Sequence, residues 1–425
     1  MESFTDEAEY HEEILGRSVL PPGFRAATTT LTFIPSERPT GEPYKMNLAT
    51  ILLDKPSTGI AGVFTRNRFP GAPVVIARER MKTGVLRAVL INNKISNVCS
   101  RTGLEDARAL CAKYAASAGI DENQVVPVST GIIGWRLPIP EMTAAIPTMI
   151  ESLHDGPAID VAHAIMTTDS FPKVRSATVG DARIVAIAKG AGMIEPNLAT
   201  MLVFILTDAD IGREGLQSTL EDAVRVSFNR ISVDSDMSTS DMVLALSSRR
   251  TPVDPDEFAS ALQTVCAALA EDIVRNGEGA GHVIKAFVSG VPEQELAVAL
   301  GKAVVNSPLV KTAVYGNDPN VGRIVSSLGD YLGNNDVHLD VGRLEIRIGE
   351  DVVFRDGAFD LDKDKETRLV GYIAGAALNP RLKGFPQHNR TVDFNIDFHS
   401  GNSSACVIGS DLSDEYVHEN ADYRS

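Results

Sequence analysis

The sequence predicts an α/β fold of packed layers. Three observations carry this. β-type apolar runs and amphipathic helical periods are mixed along the whole chain, neither kind is confined to one part, and no repeat or low-complexity linker separates them. The 425 residues, 44% hydrophobic and 23% charged, suffice for two domains or for one large intertwined unit.

In chain order, the acidic residues 1–20 read as a disordered or loosely helical lead-in. Leu20-Pro21-Pro22-Gly23-Phe24 is a turn that opens the ordered part, and 35–46 is a polar loop. Strands are expected at 48–53, 62–65, 74–77 and 86–92. Gly103–Ala118 has apolar residues at helical spacing and reads as an amphipathic helix. A strand at 125–128 ends in Ser129-Thr130-Gly131-Ile132-Ile133-Gly134, and 141–153 is helical. A strand at 183–188 feeds the glycine-rich stretch Lys189-Gly190-Ala191-Gly192-Met193-Ile194-Glu195-Pro196-Asn197-Leu198-Ala199-Thr200. The apolar run from Met201 to Leu206 follows and reads as a buried strand. Helices are expected at 213–229, Pro255–Arg275, 293–305 and 366–378, and strands at 283–289, 343–348 and 392–398. Ser238-Thr239-Ser240-Asp241 is a polar turn or helix cap.

The formal charge of −16 argues against nucleic acid or an anionic membrane as partner, and leaves open a local basic pocket. Cys99, Cys111, Cys266 and Cys406 are scattered without metal or redox spacing, as in reduced thiols of a cytoplasmic protein. His282 and His399 read as structural, and no metal is expected. No secretory signal is visible, and no apolar stretch approaches a membrane span.

Thr200 stands where the glycine-rich, proline-broken loop meets the apolar run, a placement that suits a nucleophile. On the residues alone Thr200 reads as an ordinary strand threonine; read as a nucleophile, its hydroxyl attacks the carbonyl of Ala199, giving an ester by N-to-O shift, and hydrolysis then frees the Thr200 amine. An α-amine, with a reference pKa of about 7.7–8.0, can serve as general base for its own hydroxyl. Thr130 and Gly131 follow a strand in a glycine turn, where a backbone N–H and a hydroxyl can face one oxyanion.

The stretch 189–202 resembles the self-cleavage segment of the ornithine acetyltransferase family, bifunctional glutamate N-acetyltransferases of arginine biosynthesis. Further blocks resemble it in family order: Ser129 to Gly134, Ile165 to Asp169, Phe171-Pro172-Lys173, Asn276 to Ala280, Ser307 to Thr312, Asp318-Pro319-Asn320 and the terminal Asn420 to Ser425. The resemblance runs from about residue 20 to the last residue. It implies a layered α-β-β-α sandwich of the self-cleaving amidohydrolase kind, made of two intertwined chains, 1–199 and 200–425, with two copies of each. It implies acyl transfer by a ping-pong route, from N-acetylornithine to glutamate, through Thr200 and without a cofactor. The partners are then a small N-acyl amino acid and an amino acid.

By the same resemblance Thr167, Lys189, Glu278, Asn420 and Ser425 contact substrate, with Thr168 the alternative register for Thr167. On physics alone Lys189 reads as a loop lysine, Glu278 as a solvated turn acid and the tail as a fraying end. Several blocks depart from the family: 92–99, 234–241, Gly281 for a threonine, Val321 for a tryptophan and 31–35. The segment from Thr168 to Lys189 is shorter than usual. These departures put substrate identity in question and admit a paralogue of secondary metabolism. An amidase or aminopeptidase with the same nucleophile, and a non-catalytic amino-acid binder, are the other classes.

Overall fold

The computed structural model describes residues 2–38, 41–195, 201–379 and 381–421. The first part of the chain runs α1 Glu7–Arg17, β1 Phe24–Phe33, β2 Tyr44–Ser57, β3 Ile60–Phe64, α2 Ala72–Thr83, β4 Leu86–Asn92, α3 Gly103–Ala118, β5 Val125–Ser129, α4 Ile139–Glu151, α5 Ile159–Ala164, β6 Lys173–Val179 and β7 Ala182–Lys189. It continues through β8 Leu202–Ala209, α6 Arg213–Val226, β9 Ile231–Ser232, β10 Met242–Thr251, α7 Pro255–Arg275, β11 Val283–Val291, α8 Gln294–Asn306, α9 Pro308–Tyr315 and α10 Val321–Asn334. The last elements are β12 Glu345–Ile348, β13 Asp351–Arg355, β14 Ala358–Phe359, α11 Lys363–Ala374, β15 Val392–Asp397, β16 Ser403–Ser410 and α12 Asp414–Ala421.

Two sheets pack face to face between helices, an α-β-β-α sandwich. One has the order β1-β2-β4-β5 and the other β3-β10-β8-β7-β6. Strand β8 shows why its sequence is continuously apolar. Leu202, Phe204 and Leu206 enter the layer between the sheets, with Ile51, Val89 and Val126 of the opposite sheet. Val203 and Ile205 point the other way, under Leu220 of α6 and Leu262 and Ile273 of α7. Both faces are covered, so polar alternation would bury unpaired groups. Helices α3 and α4 cover the outer face of the other sheet through Leu110, Tyr114, Met142 and Ile146.

A third sheet, ordered β14-β13-β12-β15-β11-β16-β9, carries its own core with α8, α9, α10 and α11. Sandwich and third sheet are built from interleaved stretches: β3 pairs with β10 across the sequence, and β9, between α6 and β10, joins the third sheet.

Some elements differ from the sequence expectation. The expected lead-in contains α1, capped by Asp6, with Tyr10 and Ile14 buried. The Tyr10 hydroxyl donates to the Pro172 carbonyl at 2.6 Å, and its ring packs edge-on against Phe4 and Phe171. Two buried side chains among surface acids suffice to dock a short helix and leave little mark on composition. Residues 74–77, expected as a strand, lie in α2 instead. Val74, Ile76 and Ala77 bury with Met81 one turn on, and Gly84, in the left-handed conformation, ends the helix. Strands β1, β6 and β16 and helices α10 and α12 were not foreseen, and the loop expected at 35–46 is already strand from Tyr44. Among the described residues no helix is long and apolar enough to cross a membrane.

Candidate active site

Thr130, Gly131, Thr167, Lys189, Glu278 and Asn420 all line one cavity of about 260 Å³. Ala199, Thr200 and Ser425 lie outside the described residues. The chain re-enters them at Met201, whose carbonyl accepts from the Met242 N–H at 3.0 Å.

The Thr130–Gly131 turn is fixed by the end of β5. The Thr130 N–H donates to the Asn92 carbonyl at 3.1 Å and the Ile132 N–H to the Lys94 carbonyl at 2.8 Å. Gly131 has φ 123°, and a Cβ there would lie 2.2 Å from the Lys94 carbonyl carbon, so only glycine lets the two backbones meet. Among the described residues the Gly131 N–H has no partner. That N–H and the Thr130 hydroxyl are the turn's available donors.

Lys189 is the last residue of β7 and pairs with Leu202, the first of β8. Its Nζ donates to Thr130 Oγ1 at 3.3 Å. The next residue, Gly190, is held by Asp169: its N–H donates to Asp169 Oδ1 at 2.7 Å, while Asp169 Oδ2 accepts the Thr167 N–H at 3.0 Å. Beneath them the Lys173 ammonium, 0% exposed, donates to Asp169 Oδ1 at 2.6 Å and also to Asn276. Burial alone would raise the Asp169 carboxyl, but the Lys173 and Lys189 charges and the Gly190 N–H hold it well below the usual carboxylate range. One buried carboxylate thus sets the positions of two cavity segments.

Glu278, 8% exposed, sits in the turn after α7. Its N–H donates to the Ala191 carbonyl at 2.9 Å. Its carboxylate accepts the Thr168 hydroxyl at 2.7 Å and the Asn420 amide at 2.9 Å, so α12 is tied to the site. A Cβ on Gly192 would lie 2.2 Å from that carboxylate, which explains the glycine. Thr167 and Thr168 both line the cavity, and it is the Thr168 hydroxyl that holds Glu278.

Of the blocks that depart from the family pattern, 92–99 contributes Ser96 to the lining and 234–241 contributes Ser238, Thr239 and Ser240. Gly281 and Val321 do not line it. The Gly281 N–H donates to Asp411 at 2.8 Å, and a Cβ there would meet that carboxylate at 2.9 Å. Val321 is packed into the C-terminal core. His282 pairs with Asp411 at 2.7 Å, and His399 with Asp397 at 3.5 Å. Among the described residues no cluster of His, Cys, Asp or Glu converges as metal ligands.

Sequence reasoning missed three buried groups. Asp169 and Lys173 lie inside a block it quoted, and their spacing of four was the available signal. Asp241, before β10, has its carboxyl pushed up by burial, against the opposing Ser238 hydroxyl and Lys189 charge. Nothing in its local sequence distinguishes it from a solvated turn acid.

Chemically, the described lining residues offer one cation, Lys189, one anion, Glu278, two N–H or O–H donors at the Thr130–Gly131 turn, several hydroxyls and an apolar side of Ile132, Ile133 and Met193. This suits a small zwitterion bearing a short apolar group and a polarisable carbonyl.

A sequence profile of the ArgJ family matches residues 39–425. The chain is 39% identical over 423 residues to the arginine biosynthesis bifunctional protein ArgJ of Nitratidesulfovibrio vulgaris, covering 96% of this chain and 100% of that one. It is 40% identical over 378 residues to the protein of that name from Methylococcus capsulatus, covering 86% and 88%. Among solved structures, the arginine biosynthesis bifunctional protein of Bacillus halodurans is 33% identical, covering 53% of this chain and 100% of that one, with a TM-score of 0.46. By the profile match over residues 39–425 and the 39% identity to a relative along 96% of its length, the chain belongs to the ArgJ family.

Proposed function

We propose that the chain is a self-cleaving N-acyltransferase that moves an acetyl group from N-acetylornithine to glutamate through an ester on Thr200. The observation that carries this reading is the presence of Lys189 and Glu278, the two charged side chains among the described lining residues, in one cavity with the Thr130–Gly131 donors. N-acetylornithine carries one carboxylate and one ammonium, and the charges of Lys189 and Glu278 match both.

Maturation comes first. The Thr200 hydroxyl adds to the Ala199 carbonyl, the C–N bond breaks, and the hydroxyl proton ends on the departing nitrogen. Water then splits the ester, leaving a carboxylate on Ala199 and a free hydroxyl and amine on Thr200. The chains 1–199 and 200–425 stay together through β7 and β8, which pair across the scission point.

In transfer, the Thr200 amine takes the hydroxyl proton as Oγ attacks the acetyl carbonyl. Thr130 and Gly131 hold the oxyanion, worth about 2.7–4 kcal/mol per donor. The donor's nitrogen leaves with a proton, and the amine of glutamate then attacks the ester and restores the hydroxyl. In this reading Lys189 meets the substrate carboxylate and Glu278 its ammonium. Thr167, Asn420 and Ser425 complete the contacts. The ester stores the acyl group, so no cofactor enters, and the enzyme works in the cytoplasm with two copies of each chain.

The test is to incubate purified protein with N-acetylornithine and glutamate. Formation of N-acetylglutamate with matching release of ornithine supports transfer. Release of free acetate in its place would make the protein an amidase.

A further inference from the structure

The segment just upstream of the proposed scission point is held by a separate set of groups. The Asp234 carboxylate accepts the Met193 N–H at 2.6 Å and the Ile194 N–H at 2.7 Å. The Ile194 carbonyl accepts the Val233 N–H at 2.7 Å, and the Glu195 N–H donates to the Asp236 carbonyl at 3.0 Å. The Glu195 carboxylate accepts the Ser232 hydroxyl at 3.2 Å and the Asn306 amide, with Lys302 Nζ at 3.5 Å. Every partner comes from beyond residue 200. Met193 is a non-glycine residue at φ 57°, a left-handed conformation that needs such outside support.

Glu195, Asp234 and Asn306 do not line the cavity. None is placed to touch a transferred acyl group. Glu195 stands four residues before Ala199, in the stretch that leads into the bond. An N-to-O shift needs the carbonyl carbon held within about 3–3.5 Å of the attacking oxygen. A peptide free to swing from Gly190 onward would seldom meet that condition.

We infer that Glu195 and Asp234 are positioning residues for chain scission, clamping the upstream side of the Ala199–Thr200 bond against the second chain, and that Glu195 has no part in acyl transfer once scission is done. This rests on the self-cleavage reading above.

The test follows scission of newly synthesised full-length chain by denaturing gel, for wild type, Glu195→Ala, Glu195→Gln and Asp234→Ala. The expected result is scission slowed on the order of 10- to 100-fold in Glu195→Ala and Asp234→Ala. Glu195→Gln, which keeps an acceptor for Ser232, should be intermediate. Once Glu195→Ala has been left to cleave, its kcat and KM per cleaved chain should match wild type. A merely structural role would slow scission and lower kcat together. Wild-type scission rates in Glu195→Ala and Asp234→Ala would overturn the inference, as would a fall in kcat that tracks the slower scission. If Glu195→Ala fails to fold, the near-isosteric Glu195→Gln decides by the same two readouts. Failure of the wild-type chain to cleave would instead overturn the self-cleavage reading.

Discussion

Lys189 Nζ lies 3.3 Å from the hydroxyl of Thr130, joining the end of one sheet's strand to the turn at the end of the other's. The contact bridges the two layers of the sandwich at one edge. The oxyanion donors and the cavity's cation are therefore one unit, and disturbing either shifts the other. Thr130→Ala removes a donor and frees Lys189. Its kcat should fall about 10²- to 10³-fold, while Thr130→Ser retains most activity. Steady-state kinetics on cleaved enzyme, with melting temperature as control, checks this.

Glu278 is held by Thr168 and Asn420 and faces the position proposed for the substrate ammonium. Glu278→Gln should raise KM for both amino-acid substrates more than it lowers kcat. Thr168→Val, which leaves the carboxylate in place and loses one hydrogen bond, should have the smaller effect. Gly192→Ala, whose Cβ falls 2.2 Å from the carboxylate, should behave like a loss of Glu278. Initial rates against each substrate separate these outcomes.

The buried Asp169–Lys173 pair predicts an acid limb in stability. The Asp169 carboxyl titrates below its ordinary value, so its contribution is complete above the unfolded pKa of about 3.9 and is lost as pH falls through the depressed folded value. Asp169→Asn should flatten that limb. Lys173→Met strands a buried carboxylate and should cost about 3–5 kcal/mol at neutral pH, with Thr167 and Gly190 displaced. Denaturant titrations across the acid range provide the measurement.

Asp241 has the opposite sign. Burial raises its carboxyl well above the ordinary value, so the folded state binds the proton more tightly than the unfolded. Its contribution is complete below about 3.9 and is lost as pH rises through the raised value. Asp241→Asn should therefore gain in melting temperature relative to wild type as pH rises. Thermal scans from acid to neutral pH give the slope directly.

Much of the sandwich could be read from sequence because its strands are apolar on both faces. The expected helices Gly103–Ala118 and Pro255–Arg275 have the observed limits, each carrying a full apolar stripe. Strand β1 was hidden by its threonines at 28–30, whose side chains reveal no period until paired with β2. Helix α2 was hidden because Val74 to Ala77 reads locally as strand, while its partner Met81 lies beyond that window. In the site, the Thr130–Gly131 turn could be picked out from its own residues, and a Cβ at Gly131 would meet the Lys94 backbone; Lys189, Glu278 and Asn420 were named only through the family resemblance. The support beneath them could not be picked out: Asp169, Lys173 and Asp241 are ordinary charged residues until the fold buries them.

Intact-mass analysis of the purified protein, alone and after incubation with N-acetylornithine, tests acyl transfer through Thr200 most directly. The expected spectrum has two species, Met1 to Ala199 and Thr200 to Ser425, and only the second gains the mass of an acetyl group. A single uncleaved chain, or an acetyl group on a residue other than Thr200, would contradict it.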